Sequence, residues 1–149
     1  MMPGIIKTIA LATFSLLVGF GIFRKKQRAE AAVADARRAY ERQDWEALRE
    51  VLLDRDRRAS FYSRLGEEYY YLVLLKEHDQ NLYEAQLACL LYLLKCPRGQ
   101  RAEEVLQMFR TMQTIQPFDA TRCAKEDPCG YAHIAGTFQK ITRHTKSAS

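Results

Sequence analysis

Proline and glycine are scarce in this chain, four and seven in 149 residues, and β-branched runs are few. Little is left to build strands and tight turns, while Ala, Leu, Glu, Arg and Gln, the strong helix formers, dominate the middle. Catalytic signatures are missing too. There is no Gly-rich phosphate loop, no nucleophile elbow and no paired-carboxylate motif. Only three histidines occur, His78 in a turn and His133 and His144 in the tail. These absences argue against an enzyme and imply no catalytic residues and no cofactor. Cys123, Cys129 and His133 form a C-x5-C-x3-H arrangement. Zinc sites use closer cysteine pairs and four ligands, so no metal is expected. Uncommitted, exposed thiols are the plain reading, and a Cys123–Cys129 disulfide stays open in an oxidising compartment. Cys89 and Cys96 lie within apolar helical sequence, where free cysteine acts as a small hydrophobe.

The chain also lacks a dispersed basic surface. Its net charge is +5, and Lys7, Arg24, Lys25, Lys26 and Arg28 supply that by themselves; the remaining 18 basic residues balance the 18 acidic ones. No stripe remains to track phosphates, so no nucleic-acid partner is expected. The basic residues instead flank a long apolar run. Residues 5–23 read IIKTIALATFSLLVGFGIF, of which the last 16 carry no charge. A bilayer span needs about 20 residues, with a lower bound near 17. Lys7 can snorkel to extend the usable length, and a short span suits a thin membrane. A signal peptide would carry its heavier charge before the apolar core and a small-residue cleavage site after it. Here the charge follows the core, so residues 1–28 read as a retained single-pass anchor with a basic flank. The positive-inside rule then holds the rest of the chain on the cytosolic side, or on the matrix side of a mitochondrial inner membrane. Ser15 and Gly19 are spaced for helix packing, although glycine is common in membrane helices anyway.

Residues 29–117 read as one small helical domain. Helices are expected at about residues 29–41, 46–53 with Asp44 as N-cap, 60–77, 82–94 and 101–113, the last with Val105, Phe109 and Met112 on one stripe. The His78–Asn81 run makes a turn, and Pro97 with Gly99 ends the fourth helix. The third and fourth helices are apolar nearly all round and need cover on several sides. They form either a buried central hairpin or a groove filled by a partner. Residues 118–149 read as an irregular or flexible tail.

The stretch AYERQDWEALREVLL, residues 39–53, resembles the central turn of a tetratricopeptide repeat, and a second degenerate copy falls at Leu65, Gly66 and Tyr69 with Ala85 and Pro97 downstream. Layout and local sequence together resemble the twenty-kilodalton presequence receptor of the mitochondrial outer-membrane translocase. The matching pieces are Gly19-Phe20-Gly21-Ile22-Phe23 followed by Arg24-Lys25-Lys26, then Leu65-Gly66-Glu67-Glu68, Cys96-Pro97 and Glu104-Val105-Leu106-Gln107. The stretch from Glu68 to Tyr83 is longer than that family's pattern, and the tail after Pro117 has no counterpart in it.

This resemblance implies an all-α protein, a single transmembrane helix followed by a tetratricopeptide-like domain facing the cytosol at the mitochondrial outer membrane. It implies a receptor that takes amphipathic targeting helices in an apolar groove. Groove residues would be Phe61, Tyr62 and Leu65 on one helix and Val105, Leu106 and Phe109 on another. Leu106 lies off the Val105/Phe109/Met112 stripe and so faces outward; all six could equally be core. Glu67 and Glu68 would meet the ligand's basic face. The competing expectation is a non-catalytic accessory subunit of a larger mitochondrial or bacterial membrane complex, whose neighbours cover the apolar helices.

Overall fold

The computed structural model describes the backbone of residues 3–53, 64 and 66–147, and the side chains of residues 15–24, 27–53, 64 and 66–143. All regular structure among them is helical: α1 Pro3–Glu41, α2 Trp45–Leu53, α3 Gly66–His78, α4 Leu82–Lys95, α5 Ala102–Ile115, α6 Ala120–Glu126 and α7 Pro128–Ser147. The chain is therefore all-α. The apolar run and the first domain helix are one unbroken helix, α1, with no linker between them. Residues 54–63 and 65, where the third helix was expected to begin, lie outside the described residues, and α3 itself starts at Gly66.

Two turns of the same build organise the first four helices. Gln43 and Gln80 both take left-handed backbone, at φ 57 and 59. Each is followed by an Asx residue that caps the next helix: Asp44 accepts from the Ala47 N–H at 3.1 Å, and Asn81 accepts from the Glu84 N–H at 3.2 Å. In both, the residue after the glutamine also bonds back into the preceding helix, Asp44 N–H to the Ala39 carbonyl and Asn81 N–H to the Lys76 carbonyl, each at 2.9 Å. Such a bond satisfies a carbonyl that the helix end would leave orphaned. The result is two successive helix–turn–helix units, α1–α2 and α3–α4.

The α3–α4 hairpin is the centre of the domain. Tyr69 to Val73 and Leu75 on α3, and Tyr83 and Ala85 to Tyr92 on α4, are all buried. The lack of a polar face on these helices is met by cover from both sides. α1 and α2 lie against α3, and α5 and α7 lie against α4. Each large apolar side chain withdrawn from water contributes about 1.5–3 kcal/mol. Gly66 starts α3 because nothing larger fits: a Cβ there would run into Cys96 Sγ at the end of α4. We expect Gly66→Ala to cost about 1–3 kcal/mol by overpacking. Adding Cys96→Ala should return most of that loss in a thermal melt, since it removes the clashing sulfur.

The segment read as an irregular tail is helical and part of the core. Gln86 donates to the Gln116 carbonyl at 2.6 Å, and the Phe118 N–H donates to Gln113 Oε1 at 2.6 Å, so the chain turns back after α5. Phe118 is thereby brought onto Tyr83, with ring centres 5.7 Å apart. Asp119 caps α6 and Asp127 caps α7, each at 2.9 Å. Ile134 is buried, and Tyr131, Phe138 and Ile141 pack on the same core. Their spacing of three, seven and ten residues from Tyr131 is one face of a helix, which is why this stretch folds.

Among the described residues, no helix is long and apolar enough to cross a membrane. Residues 5–14, the first half of the expected anchor, fall outside the described side chains.

Candidate peptide-binding groove

Of the six residues expected to line a groove, only Val105, Leu106 and Phe109 are among the described residues. Val105 and Phe109 are 0% exposed and belong to the core. The reason is α7: Phe138 meets Phe109 edge-on at 6.3 Å and Phe118 at 5.3 Å, so the helix read as a loose tail covers the face read as open. Leu106, off that stripe, is half-buried. Phe61, Tyr62 and Leu65 lie outside the described residues. Glu67 is exposed and 3.8 Å from Arg37. Glu68 is not a rim residue: its side chain is buried 3.5 Å from the equally buried Arg64. Of the expected membrane flank, Arg24 and Arg28 are exposed on α1, and the side chains of Lys7, Lys25 and Lys26 lie outside the described set.

A different surface has the shape and chemistry of a helix-binding groove. An open depression of about 340 Å³ runs between the end of α3, the start of α4 and the outward face of α5. It is lined by Glu77, Leu82, Glu104, Gln107, Met108, Thr111, Met112 and Ile115. On α5, positions 104, 108, 111/112 and 115 recur at helical spacing. Val105, Phe109 and Met112 point inward, so Met108 and Ile115 are left on the wet side. Ile115 is 69% exposed, the most exposed large hydrophobic residue outside α1 among the described residues. Two carboxylates and no basic side chain border the apolar floor. Glu104 is held in place, accepting from the Tyr70 hydroxyl at 2.8 Å and lying 3.4 Å from Arg101. Glu77 is exposed and, among the described residues, makes no salt bridge. Methionine is flexible and polarisable, which suits a surface that accepts apolar faces of varied shape.

A second depression, of about 460 Å³, lies between α1 and the start of α3, lined by Glu30, Val33, Ala34, Arg37, Gly66, Glu67 and Cys96. Its borders mix both signs of charge, and Arg37 is already engaged with Tyr71 at 3.3 Å and with Glu67.

Of the four cysteines, all free, Cys89 and Cys123 are buried, Cys96 is half-buried and Cys129 is exposed. The expectation of exposed thiols thus fails for Cys123, which α6 turns in towards Tyr83. Burial pushes the Cys89 thiol well above its ordinary value of 9.0, and burial does the same to the Tyr70 and Tyr83 hydroxyls, ordinarily at 10.0. Between those ordinary values and the raised ones, the unfolded chain gives up its protons while the folded chain keeps them. The folded state binds more protons there, so stability falls as pH rises. Chemical denaturation at pH 8 and at pH 10.5 should therefore give a lower midpoint at the higher pH. Cys89→Ala should flatten part of the slope.

Comparison with protein-family models, with curated proteins and with solved structures returned no match to this chain.

Proposed function

We propose that this chain is a membrane-anchored receptor for basic amphipathic helices, and that the α3–α4–α5 groove is where they bind. One observation carries the reading: Ile115, the most exposed large apolar side chain among the described residues outside α1, lies with Met108 and Leu82 in a depression whose charged lining residues are the acids Glu77 and Glu104. A helix with one apolar and one basic face is the complement of that surface, and helix-in-groove recognition supplies the binding mode. The position is changed from the one the family resemblance implied, and the class of ligand is the same.

The anchor belongs to this proposal. Leu16, Leu17, Val18, Phe20, Ile22 and Phe23 are all exposed on α1, Leu16 at 74%. They point to every side of the helix, so a single protein face would not cover them, whereas lipid would. Arg24 follows directly, its guanidinium 4.8 Å from the Phe20 ring centre. A mitochondrial outer membrane with the domain in the cytosol fits the short apolar run and the import-receptor resemblance. Protease treatment of intact mitochondria should remove a C-terminal tag, and protection of the tag would exclude that orientation.

The binding claim is tested by titrating the full chain in nanodiscs with a labelled basic amphipathic peptide. Saturable binding is expected, weakened roughly tenfold or more by Met108→Ser with Ile115→Ser, a loss of about 1.4 kcal/mol per factor of ten. Glu77→Lys should weaken it further at low salt than at high salt. Absence of saturation, or binding indifferent to the serine pair, removes the proposal. The alternative, an accessory subunit of a membrane complex, draws on the same exposed Ile115 and on Leu94, which a permanent neighbour would cover. Co-purification at fixed stoichiometry with a large complex would favour it.

A further inference from the structure

The end of the domain nearest the proposed anchor is marked by three helix ends. α3 runs alongside α1 in the same direction. Arg37 reaches Glu67 and Tyr71, Tyr40 meets Tyr71 at 6.2 Å, and Trp45, just past the end of α1, stacks on His78 at 3.9 Å. The start of α3 is therefore level with residues 30–37, in the last third of α1, and its end with the turn after α1. α5 begins at that same level, since the Arg101 guanidinium lies 4.0 Å from the Tyr70 ring centre. α4 returns to it, because Cys96 lines one depression together with Gly66, Glu30 and Val33. The α4–α5 turn, residues 96–101, thus sits beside residues 30–37 of α1.

α1 is continuous from Pro3 to Glu41. At about 1.5 Å per residue, Glu30 lies about 9 Å and Arg37 about 20 Å along the helix axis beyond Arg24, where the apolar run ends. Headgroups occupy about 5–8 Å on each side of the hydrocarbon, and the potential of an anionic surface reaches about 8 Å further at physiological salt. The near end of the turn, where Cys96 shares a depression with Glu30, falls inside that reach.

This turn reads Cys96-Pro97-Arg98-Gly99-Gln100-Arg101, directly after Lys95. Lys95 and Arg101 are committed within the protein, Lys95 donating to the Arg64 carbonyl at 2.7 Å and Arg101 lying 3.4 Å from Glu104. Arg98 on the turn and Arg28 on α1 are exposed and, among the described residues, make no salt bridge. The acids at this level are Glu30, Asp35, Glu67, Glu103 and Glu104, of which Asp35 is matched by Arg38, Glu67 by Arg37 and Glu104 by Arg101.

We infer that the α4–α5 turn is a foot that rests on anionic lipid headgroups, with Arg98 and Arg28 as its contacting cations. The inference rests on the membrane-anchored reading above. Its consequence is that the domain does not swing freely about the anchor. It stands on two supports, α1 and the turn, with the Glu77 and Leu82 end of the α3–α4–α5 groove farther from the bilayer than its Glu104 end.

The test uses the full chain in vesicles of phosphatidylcholine alone or mixed with phosphatidylserine, washed with alkaline carbonate and then followed by amide hydrogen exchange. Exchange at residues 98–101 should slow several-fold when phosphatidylserine is present. The slowing should vanish with Arg98→Glu or in high salt, and Arg98→Gln should keep less than half of it. Equal exchange on the two lipids, or slowing that survives Arg98→Glu, would overturn the foot while leaving the anchor intact. Release of the chain by carbonate would overturn both, since the height of the turn is measured from the anchor.

Discussion

Glu68→Gln should be among the most damaging single substitutions in the domain, costing about 3–5 kcal/mol, because it removes a carboxylate charge 3.5 Å from a buried cation. Arg64 and Glu68 have side chains 1% and 0% exposed and lie 3.5 Å apart. Arg64 also donates to the Leu52 carbonyl at 2.7 Å, and its own N–H donates to the Tyr69 hydroxyl at 3.3 Å. The Lys95 ammonium, which donates to the Arg64 carbonyl, has its pKa held below the usual value by burial. Glu68 is thus the carboxylate facing the buried Arg64 cation, with the partly exposed Lys95 ammonium beyond it. Neutralising it keeps the volume and removes the charge, so the loss is electrostatic and not a cavity effect. The same argument predicts that the pair as a whole is worth little. Replacing both residues by apolar ones, Arg64→Met with Glu68→Leu, should be nearly neutral. Urea midpoints of the two single variants and the double variant check this. A double variant as unstable as Glu68→Gln would show that the Arg64 side-chain hydrogen bond to the Leu52 carbonyl, more than the ion pair, holds the end of α2 in place.

Ending the chain after Asp127 should abolish cooperative folding. α7 supplies Ile134, Phe138, Tyr131 and Ile141 to the core. At about 1.5–3 kcal/mol each for a well-buried apolar side chain, their removal forfeits a large part of the 5–15 kcal/mol that a domain of this size has in total. It also uncovers Phe109 and Phe118. The truncated chain should retain helical circular dichroism but melt without a sharp transition. A sharp, near-unchanged melt would mean that α7 is dispensable and that the Phe109 face is free to take a ligand after all.

The helical class and the five middle helices were legible because their signals are local. Leu, Ala and Glu propensity, the Asp44 cap and the Pro97/Gly99 stop need no knowledge of neighbours, and the apolar breadth of α3 and α4 did demand cover from two sides. What covers them was legible as well, and was overlooked. Tyr131, Ile134, Phe138 and Ile141 keep helical period, and Asp127-Pro128 is a cap followed by the one helical position that suits proline. The basic, histidine-bearing composition of the tail masked that stripe. The Val105/Phe109 stripe reads as open for a different reason. Sequence periodicity puts Val105 and Phe109 on one stripe, but only the path of the chain after Ile115 decides whether that stripe meets solvent or Phe138. The Gln43-Asp44 and Gln80-Asn81 turns are a repeat of two residues, too short to register as similarity, and they emerge only when both glutamines prove to have positive φ.

An unbroken α1 also makes the protein a mechanical part. A domain on a flexible linker feels a pull on its anchor only as a change of position. On the membrane-anchored proposal, the helix that would meet lipid at Phe20 and Phe23 also contributes Val33, Ala36 and Ala39 to the core, so tension in the membrane or drag on a bound cargo would be delivered along the helix axis. It acts in shear on the seam where Arg37 and Tyr40 meet Tyr71. Shear across a parallel helix pair strains many side-chain contacts at once, so the seam resists it more strongly than a peeling load, and α1 should stay seated while cargo is drawn towards the bilayer.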